Sequence, residues 1–328
     1  MARLRQRRRV ALTLTELLVV LAILGVLIAL LLPAVQKVRE SAATTQSSNN
    51  LHQIALTIQQ CQEQYGVLPP GFGYFPGGPQ DPTYHGGSSG HGFLFFHLLP
   101  FLEQSNLYQS TATPGNGQPP NSPGTLYDPD LSVAATPLKV YQDPLDPSLS
   151  SSGIIQNSQT AADNLAACGY AFNAQVFCQV DRAGNFVDWW SNPRLSTTFA
   201  DGTANTILFT EKYSICGQPG GLYGGANAWA APSQYENAAP VFSVSRFPSA
   251  GTFAGQIAST GPTTHFQVRP SPYASDNCQY WVPQTPRSGG ILVGLADGSV
   301  RNVATSSQSS TWWAACTPAS GETLGNDW

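Results

Sequence analysis

Glu16 is the residue whose chemistry stands out first, because it is a carboxylate inside an apolar stretch. The stretch runs from Leu12 to Leu32, and its sixteen residues from 17 to 32 carry no charge. A carboxylate near the start of a membrane helix costs about 2–3 kcal/mol or more, so it is rarely found there without a partner. One alternative is a position at the membrane interface, where the side chain can reach water. The other is an ordinary secretory signal over Leu12–Leu32, which the length of the apolar stretch disfavours. The pattern therefore predicts either an interfacial acid or an acid that pairs with a positive charge.

Three histidines could bind a metal ion, but their spacing does not favour one. His85, His91 and His97 are six residues apart, in and just after a Gly-rich segment. Zinc sites usually have ligands that are closer together and include Cys, Asp or Glu. Packing or exposed histidines are therefore the better interpretation, and we expect neither a metal site nor a cofactor.

Two Asp-Gly pairs resemble parts of calcium loops. They are Asp201-Gly202 and Asp297-Gly298, and neither is surrounded by the alternating oxygen ligands of an EF-hand. Turn formation explains both pairs without an ion. The sequence does not decide whether calcium binds.

Aromatic and nucleophilic residues give two further candidate chemistries. Trp189-Trp190, Trp281 and Trp312-Trp313 could stack against sugars, although such side chains are also ordinary core and interface residues. The chain has no Gly-x-Ser-x-Gly, no His-Glu-x-x-His and no phosphate-binding Gly loop followed by Lys. We therefore predict that the protein is not an enzyme.

The cysteines indicate an exported chain more than a metal site. There are six and none forms a Cys-x-x-Cys pair, which gives little support to zinc or thioredoxin-like chemistry. An even number in an exported protein makes disulfides plausible, and buried free thiols are the alternative. The sequence does not choose among the fifteen connectivities. The residues are Cys61, Cys168, Cys178, Cys216, Cys278 and Cys316.

The charge distribution indicates a membrane topology. Five of the 15 basic residues lie between Arg3 and Arg9, which leaves ten Lys and Arg against 19 acidic residues and a net charge of −9 on the rest. Such a body is a poor match for a polyanion, so we expect no nucleic-acid partner. A basic flank before an apolar span keeps the N-terminus cytoplasmic and places the rest of the chain outside.

One long helix is predicted to carry Glu16 and the apolar stretch and to continue beyond them. Residues 12–32 are long enough to cross about 30 Å of hydrocarbon. The segment from Ala34 to Tyr65 contains neither Gly nor Pro, and its helically spaced apolar residues need a partner such as a sheet. Those residues are Leu51, Ile54, Ala55, Ile58 and Tyr65. We expect Pro33 to bend the helix and Gly66 to end it.

The remaining chain is rich in Gly, Pro and polar residues and predicts short strands joined by turns. The clearest hairpin is Ile291–Leu295 and Ser299–Val303 around Asp297-Gly298. We expect a Gly/Pro-rich loop over 69–92. The other candidate strands are Leu138–Tyr141, Tyr170–Val180, Thr206–Thr210 and Val241–Val244.

The segment RRRVALTLTELLVVLAILGVLIALLLPAVQKVRE resembles the start of a type IV prepilin. The resemblance implies that a prepilin peptidase cuts between Ala11 and Leu12 and that the new N-terminus is methylated. Glu16 is then the fifth mature residue, where the family carries Glu, and Pro33 is the twenty-second, where many members carry Pro. The family prefers Gly before the cut and often Phe after it, and this chain differs at both positions. In a filament, the resemblance implies that Glu16 faces the amine of a neighbouring Leu12.

Later landmarks resemble a large bacterial group of prepilin-like proteins with a C-terminal domain of unknown function. They are LHQIALTIQQCQEQYGVLPP, LLPFLEQSNLYQ, PLKVYQDPLDPS, FADGTANTILFTEKY and GGILVGLADGSVRNV. That group often has His ten residues before its last Asp-Gly, and here that position is Arg287. The resemblance implies an α+β fold in which a long N-terminal helix packs on a β-rich, loop-rich, pilin-like head.

These observations predict a basic leader at 1–11, a transmembrane helix at 12–32, its extracytoplasmic continuation at 33–66 and a head at 67–328. The expected protein is a pseudopilin of a type II secretion or type IV pilus-like system. Its partners would be the inner membrane, the prepilin peptidase and other pilin-like subunits. The alternative is a membrane-anchored module that binds a glycan or a surface polymer and does not polymerise.

Overall fold

The computed structural model describes residues 14–76, 89–113, 126–156, 162–217, 225–231, 238–244, 261–273 and 277–328. The chain divides into two compact units, Met1–Thr45 and Gln46–Trp328. A long helix is followed by a mixture of short strands and short helices, and the predicted α+β class is confirmed.

The helices are α1 (Leu14–Tyr65), α2 (Leu94–His97), α3 (Ser105–Ser110), α4 (Leu131–Ala134), α5 (Ala174–Phe177) and α6 (Ser309–Cys316). Two 3₁₀ turns occupy Leu99–Phe101 and Lys139–Tyr141. The strands are β1 (Phe72–Phe75), β2 (Ser89–Phe93), β3 (Ala112–Thr113), β4 (Leu126–Tyr127), β5 (Tyr170–Asn173), β6 (Gln179–Val180), β7 (Phe186–Asp188), β8 (Ile207–Glu211), β9 (Ile215–Cys216), β10 (Gly225–Ala226), β11 (Val241–Phe242), β12 (Gln267–Val268), β13 (Gln284–Thr285), β14 (Ile291–Leu295) and β15 (Val300–Val303).

Helix α1 ends where the sequence predicts. Gly66 follows the last helical residue with φ +72°, a conformation that glycine adopts without steric cost. In the second unit the helix buries the predicted apolar residues Leu51, Ile54, Ala55 and Ile58. Tyr65 differs from the prediction, because it is 37% exposed and its ring lies edge-on to Phe75 at 5.0 Å.

A five-stranded sheet forms the centre of the second unit, in the order β11-β5-β8-β14-β15. Its neighbours are antiparallel except for β11 and β5, which are parallel. A second sheet has the order β1-β2-β4-β3. Its strand β1 pairs with β2 from Phe72 opposite Phe93 to Phe75 opposite Gly90. The loop predicted over 69–92 therefore has strands near both ends, and its residues 77–88 lie outside the described residues.

Strand β14 shows how the central sheet is packed on both faces. Ile291, Val293 and Leu295 belong to an apolar cluster with Trp312 of α6. Since side chains alternate along a strand, the residues between them face the other way, towards α1. A Cβ atom at Gly294 would lie 3.5 Å from the Leu51 carbonyl oxygen, an ordinary van der Waals distance, so strand β14 packs directly against α1 here.

The predicted C-terminal hairpin is confirmed as β14 and β15, and Gly298 supplies a positive φ of +89° in its turn. The strand predicted at Thr206–Thr210 is present as β8, one residue later. The strand predicted at Val241–Val244 is shorter, because Ser243 after β11 has φ +61°.

The predicted strand Tyr170–Val180 is present only at its two ends, as β5 and β6, and the predicted strand Leu138–Tyr141 is wrong. Side chains that bind the backbone explain both differences. The long strand Tyr170–Val180 stops at Asn173, whose side chain accepts a hydrogen bond from Gln175 N at 2.9 Å and begins α5. The strand Leu138–Tyr141 is a 3₁₀ turn instead. There the Lys139 carbonyl accepts from the Asn50 side-chain amide at 3.3 Å rather than from a neighbouring strand.

Candidate functional site

The first unit carries a helical segment without buried residues. The described part of the chain contains one helix, α1, that is long and apolar enough to cross a membrane, and no residue of its most apolar window is buried. From Leu14 to Leu32 it rises about 28 Å at 1.5 Å per residue, close to the hydrocarbon thickness of a bilayer. The helix is therefore compatible with a membrane anchor.

Two of the residues predicted for processing and assembly, Glu16 and Pro33, lie in the described part of the chain. Ala11 and Leu12 lie outside the described residues. Glu16 lies in the first turn of α1, and Pro33 lies inside the helix, which continues through it. Cleavage, methylation, the pairing of Glu16 and a bend at Pro33 remain predictions.

The second unit contains a buried charged cluster, which we define as Asp143, Glu211 and Arg287. Arg287 donates from Nη2 to Asp143 Oδ1 at 3.2 Å and from Nη1 to Glu211 Oε1. The two carboxylates are 1% and 0% exposed, and the arginine is 6% exposed. The chain brings the three together from the turn after Tyr141, the end of β8 and the segment between β13 and β14.

Polar side chains connect this charged cluster to α1. Ser47 Oγ donates to Glu211 Oε1 at 3.2 Å and lies 3.0 Å from the Tyr170 hydroxyl. The Asn50 amide donates to the same hydroxyl at 3.2 Å. On the far side, Thr285 Oγ1 donates to Glu211 Oε2 at 2.9 Å. The cluster therefore holds the start of the buried part of α1 against the sheet.

Burial and the charges of neighbouring groups determine the pKa values in the charged cluster. Burial raises the pKa of Glu211, the charge of Asp143 raises it further, and Arg287 opposes both. Burial also raises the pKa of Asp143, against the lowering effect of Arg287. For Arg287 the two carboxylates outweigh burial and raise the pKa. One guanidinium thus contacts two carboxylates in a buried site.

Two other buried ionisable groups lie near the same strands. Asp146 accepts from Ser148 N at 2.8 Å and from Ser214 N at 2.7 Å, yet burial outweighs these bonds and raises its pKa to about 6. Lys212 donates from Nζ to the Val241 carbonyl at 2.8 Å, and burial lowers its pKa to about 7.

His91, His97 and the two Asp-Gly pairs make contacts within the protein. His97 is 2% exposed and Nε2 lies 3.0 Å from the Gly73 carbonyl, while His91 packs against Tyr74; His85 lies outside the described residues. Asp201 accepts from the backbone of Ser320, and Asp297 from that of Ser299. Among the residues that the structure describes, no three His, Cys, Asp or Glu side chains are grouped to hold a metal ion.

Most of the tryptophans considered for sugar stacking are not exposed. Of the five, Trp190 is half-buried and the other four are buried, namely Trp189, Trp281, Trp312 and Trp313. They pack in the core, for instance Trp189 against Phe186 at 4.8 Å between ring centroids. The core interpretation is therefore the correct one for these four.

The structure selects one disulfide. Cys216 in β9 bonds to Cys278, 62 residues later, and the other four cysteines are buried free thiols. Burial raises the pKa of Cys168 to about 12, so it stays a thiol at neutral pH. Both interpretations of the cysteines thus hold, each for different residues.

Sequence reasoning missed the charged cluster, because its members are 76 and 144 residues apart. The available signal was the position of Arg287, where the prepilin-like group often has His. Arginine stays charged at any physiological pH and donates to two carboxylates at once, whereas a histidine would titrate there. An arginine at position 287 is therefore suited to pair with both buried carboxylates.

One family model, described as Protein of unknown function (DUF1559), matches residues 36–310, which is most of the chain. No curated protein and no solved structure matches the chain.

Proposed function

The chain belongs to the family described as Protein of unknown function (DUF1559), and from this premise we propose that it is a pilin-like subunit, a pseudopilin, anchored in the bacterial inner membrane. The head would lie outside the cytoplasm and α1 would mediate assembly with other pilin-like subunits. We propose a structural protein and not an enzyme.

The observation that carries this proposal is the exposed apolar part of α1. Leu17, Leu24 and Leu31 are between 47% and 59% exposed, and their apolar neighbours are equally open to solvent. Each such side chain gains about 1.5–3 kcal/mol on full burial. A surface of this size requires a lipid bilayer or the helices of other subunits.

Two independent features support an extracytoplasmic head. The basic run from Arg3 to Arg9 precedes the apolar segment, as in helices whose N-terminus stays in the cytoplasm. The disulfide Cys216–Cys278 belongs to the head, and disulfides persist in oxidising compartments outside the cytoplasm. Both features favour the same orientation.

Assembly would depend on Glu16, by the pairing with a neighbouring N-terminal amine that the resemblance to prepilins implies. A buried charge is tolerated when a partner of opposite sign neutralises it. The alternative is an anchored module that binds a glycan or a surface polymer, and it is less favoured because four of the five tryptophans considered for sugar stacking are buried.

The test compares Glu16→Val with Glu40→Val, an exposed acid further along the same helix. Both variants should fractionate with membranes, and only Glu16→Val should lose cross-linked oligomers of the chain in intact cells. Normal oligomers in Glu16→Val would refute the pairing. An absence of oligomers from the wild type as well would favour the anchored module.

A further inference from the structure

The charged cluster contains two acidic side chains and one basic side chain, and the proposed assembly does not involve it. Two carboxylates, each at most 1% exposed, contact one guanidinium. If both acids were ionised, the cluster would carry a net buried charge of −1. If they kept one proton between them, the cluster would be neutral. Since an uncompensated charge in a dry site is costly, the neutral form is favoured.

Among the residues that the structure describes, the groups that face the charged cluster do not supply a second cation to it. Tyr170 and Tyr213 are phenols whose pKa burial raises, so they remain neutral. Lys212 follows Glu211 along the chain but donates to the Val241 carbonyl and lies over the Tyr280 ring at 4.2 Å. Asp146, from the same turn as Asp143, bonds to Ser148 and Ser214 instead.

Burial raises the pKa of Tyr213 by more than the charge of Arg269 lowers it, so the phenol stays neutral. Ser47 and Thr285 donate hydroxyl protons to Glu211, and the backbone of Leu145 donates to Asp143 at 3.1 Å. Neutral donors of this kind stabilise a carboxylate less than a second positive charge would.

We propose that Asp143 and Glu211 keep one proton between them at neutral pH, and that this proton controls how firmly residues 47–51 of α1 are held on the sheet. The link to α1 is direct, because Ser47 donates to Glu211 and Asn50 donates to the Tyr170 hydroxyl. When the proton leaves for solvent, the repulsion between the two carboxylates loosens the contacts of Ser47. The inference concerns the head alone and does not depend on assembly.

The direction of the pH effect follows from linkage. The pKa of Glu211 is raised from 4.5 to about 8, so its contribution to stability is complete below about pH 4.5 and is lost as pH rises through about 8. One proton changes the opening equilibrium about tenfold per pH unit within that window. The hold on α1 should therefore weaken from mildly acidic to mildly alkaline conditions.

Hydrogen exchange of the full chain in detergent micelles tests the proposal. Amide protection of residues 47–51, corrected for intrinsic exchange, should fall by up to about tenfold per unit between about pH 5 and about pH 8. Glu211→Gln and Asp143→Asn should each flatten this profile and exceed wild-type protection at the alkaline end. Glu63→Gln is the matched control, since Glu63 is exposed on the same helix, and it should keep the wild-type slope.

The double variant Asp143→Asn/Glu211→Gln separates proton control from simple damage. It leaves Arg287 with no carboxylate in the charged cluster, so protection should be low at every pH. A flat wild-type profile would overturn the proposal, and that measurement needs no variant to fold. Single variants that are less protected than the wild type at the alkaline end would also overturn it, because both acids would then be needed in ionised form.

Discussion

Removal of the disulfide is the perturbation whose size can be worked out most directly. Cys216 and Cys278 are 62 residues apart, and closing such a loop in the unfolded chain removes about 14 cal/mol/K of entropy. This corresponds to about 4 kcal/mol at 25 °C, and measured effects are typically about 2–4 kcal/mol. The double substitution Cys216→Ser/Cys278→Ser should therefore lower the free energy of unfolding of the head by about 2–4 kcal/mol.

The assay is chemical unfolding of the full chain in detergent, with and without reductant. Reductant should destabilise the wild type by about the same 2–4 kcal/mol and leave the double variant unchanged. Thiol titration of the unfolded, unreduced protein should give four reactive cysteines, and six after reduction. A wild type that is insensitive to reductant, or that shows six thiols before reduction, would mean that Cys216 and Cys278 are not bonded in the native protein.

Two further substitutions test the packing and the buried acids of the head. Ile54→Ala, at a residue with 0% exposure between α1 and the sheet, should cost about 2–5 kcal/mol in chemical unfolding, whereas Gln53→Ala on the exposed side should change little. The pKa of Asp146 is raised from 3.8 to about 6, so its contribution to stability is complete below about pH 3.8 and is lost as pH rises through about 6. Asp146→Asn should remove the corresponding slope from a plot of unfolding free energy against pH, and an unchanged slope would assign it to another group.

Local sequence patterns predicted the elements that depend on residues close together in the chain. The end of α1 at Gly66 depends on one residue with φ +72°, and the hairpin at Asp297-Gly298 depends on a two-residue turn signal. The stripe from Leu51 to Ile58 is visible because helical periodicity repeats every few residues. These signals are short in range, and they predicted the elements closely.

The remaining features depend on residues that are distant in sequence. The amide of Asn50 bonds to the carbonyl of Gln142 at 3.1 Å, and this bond helps make the segment Leu138–Tyr141 a turn instead of a strand. The pairing of Cys216 with Cys278 and the meeting of Arg287 with Asp143 need the folded arrangement of the sheet. Periodicity carries no information about such contacts.

We propose that α1 is the processed membrane helix of a pilin-like subunit, and mass spectrometry of the N-terminus of the native protein can decide this. We expect a chain that begins at methylated Leu12, with the leader removed and the apolar segment retained. A native chain that keeps Arg3 to Arg9, or one that begins after Leu32, would contradict it.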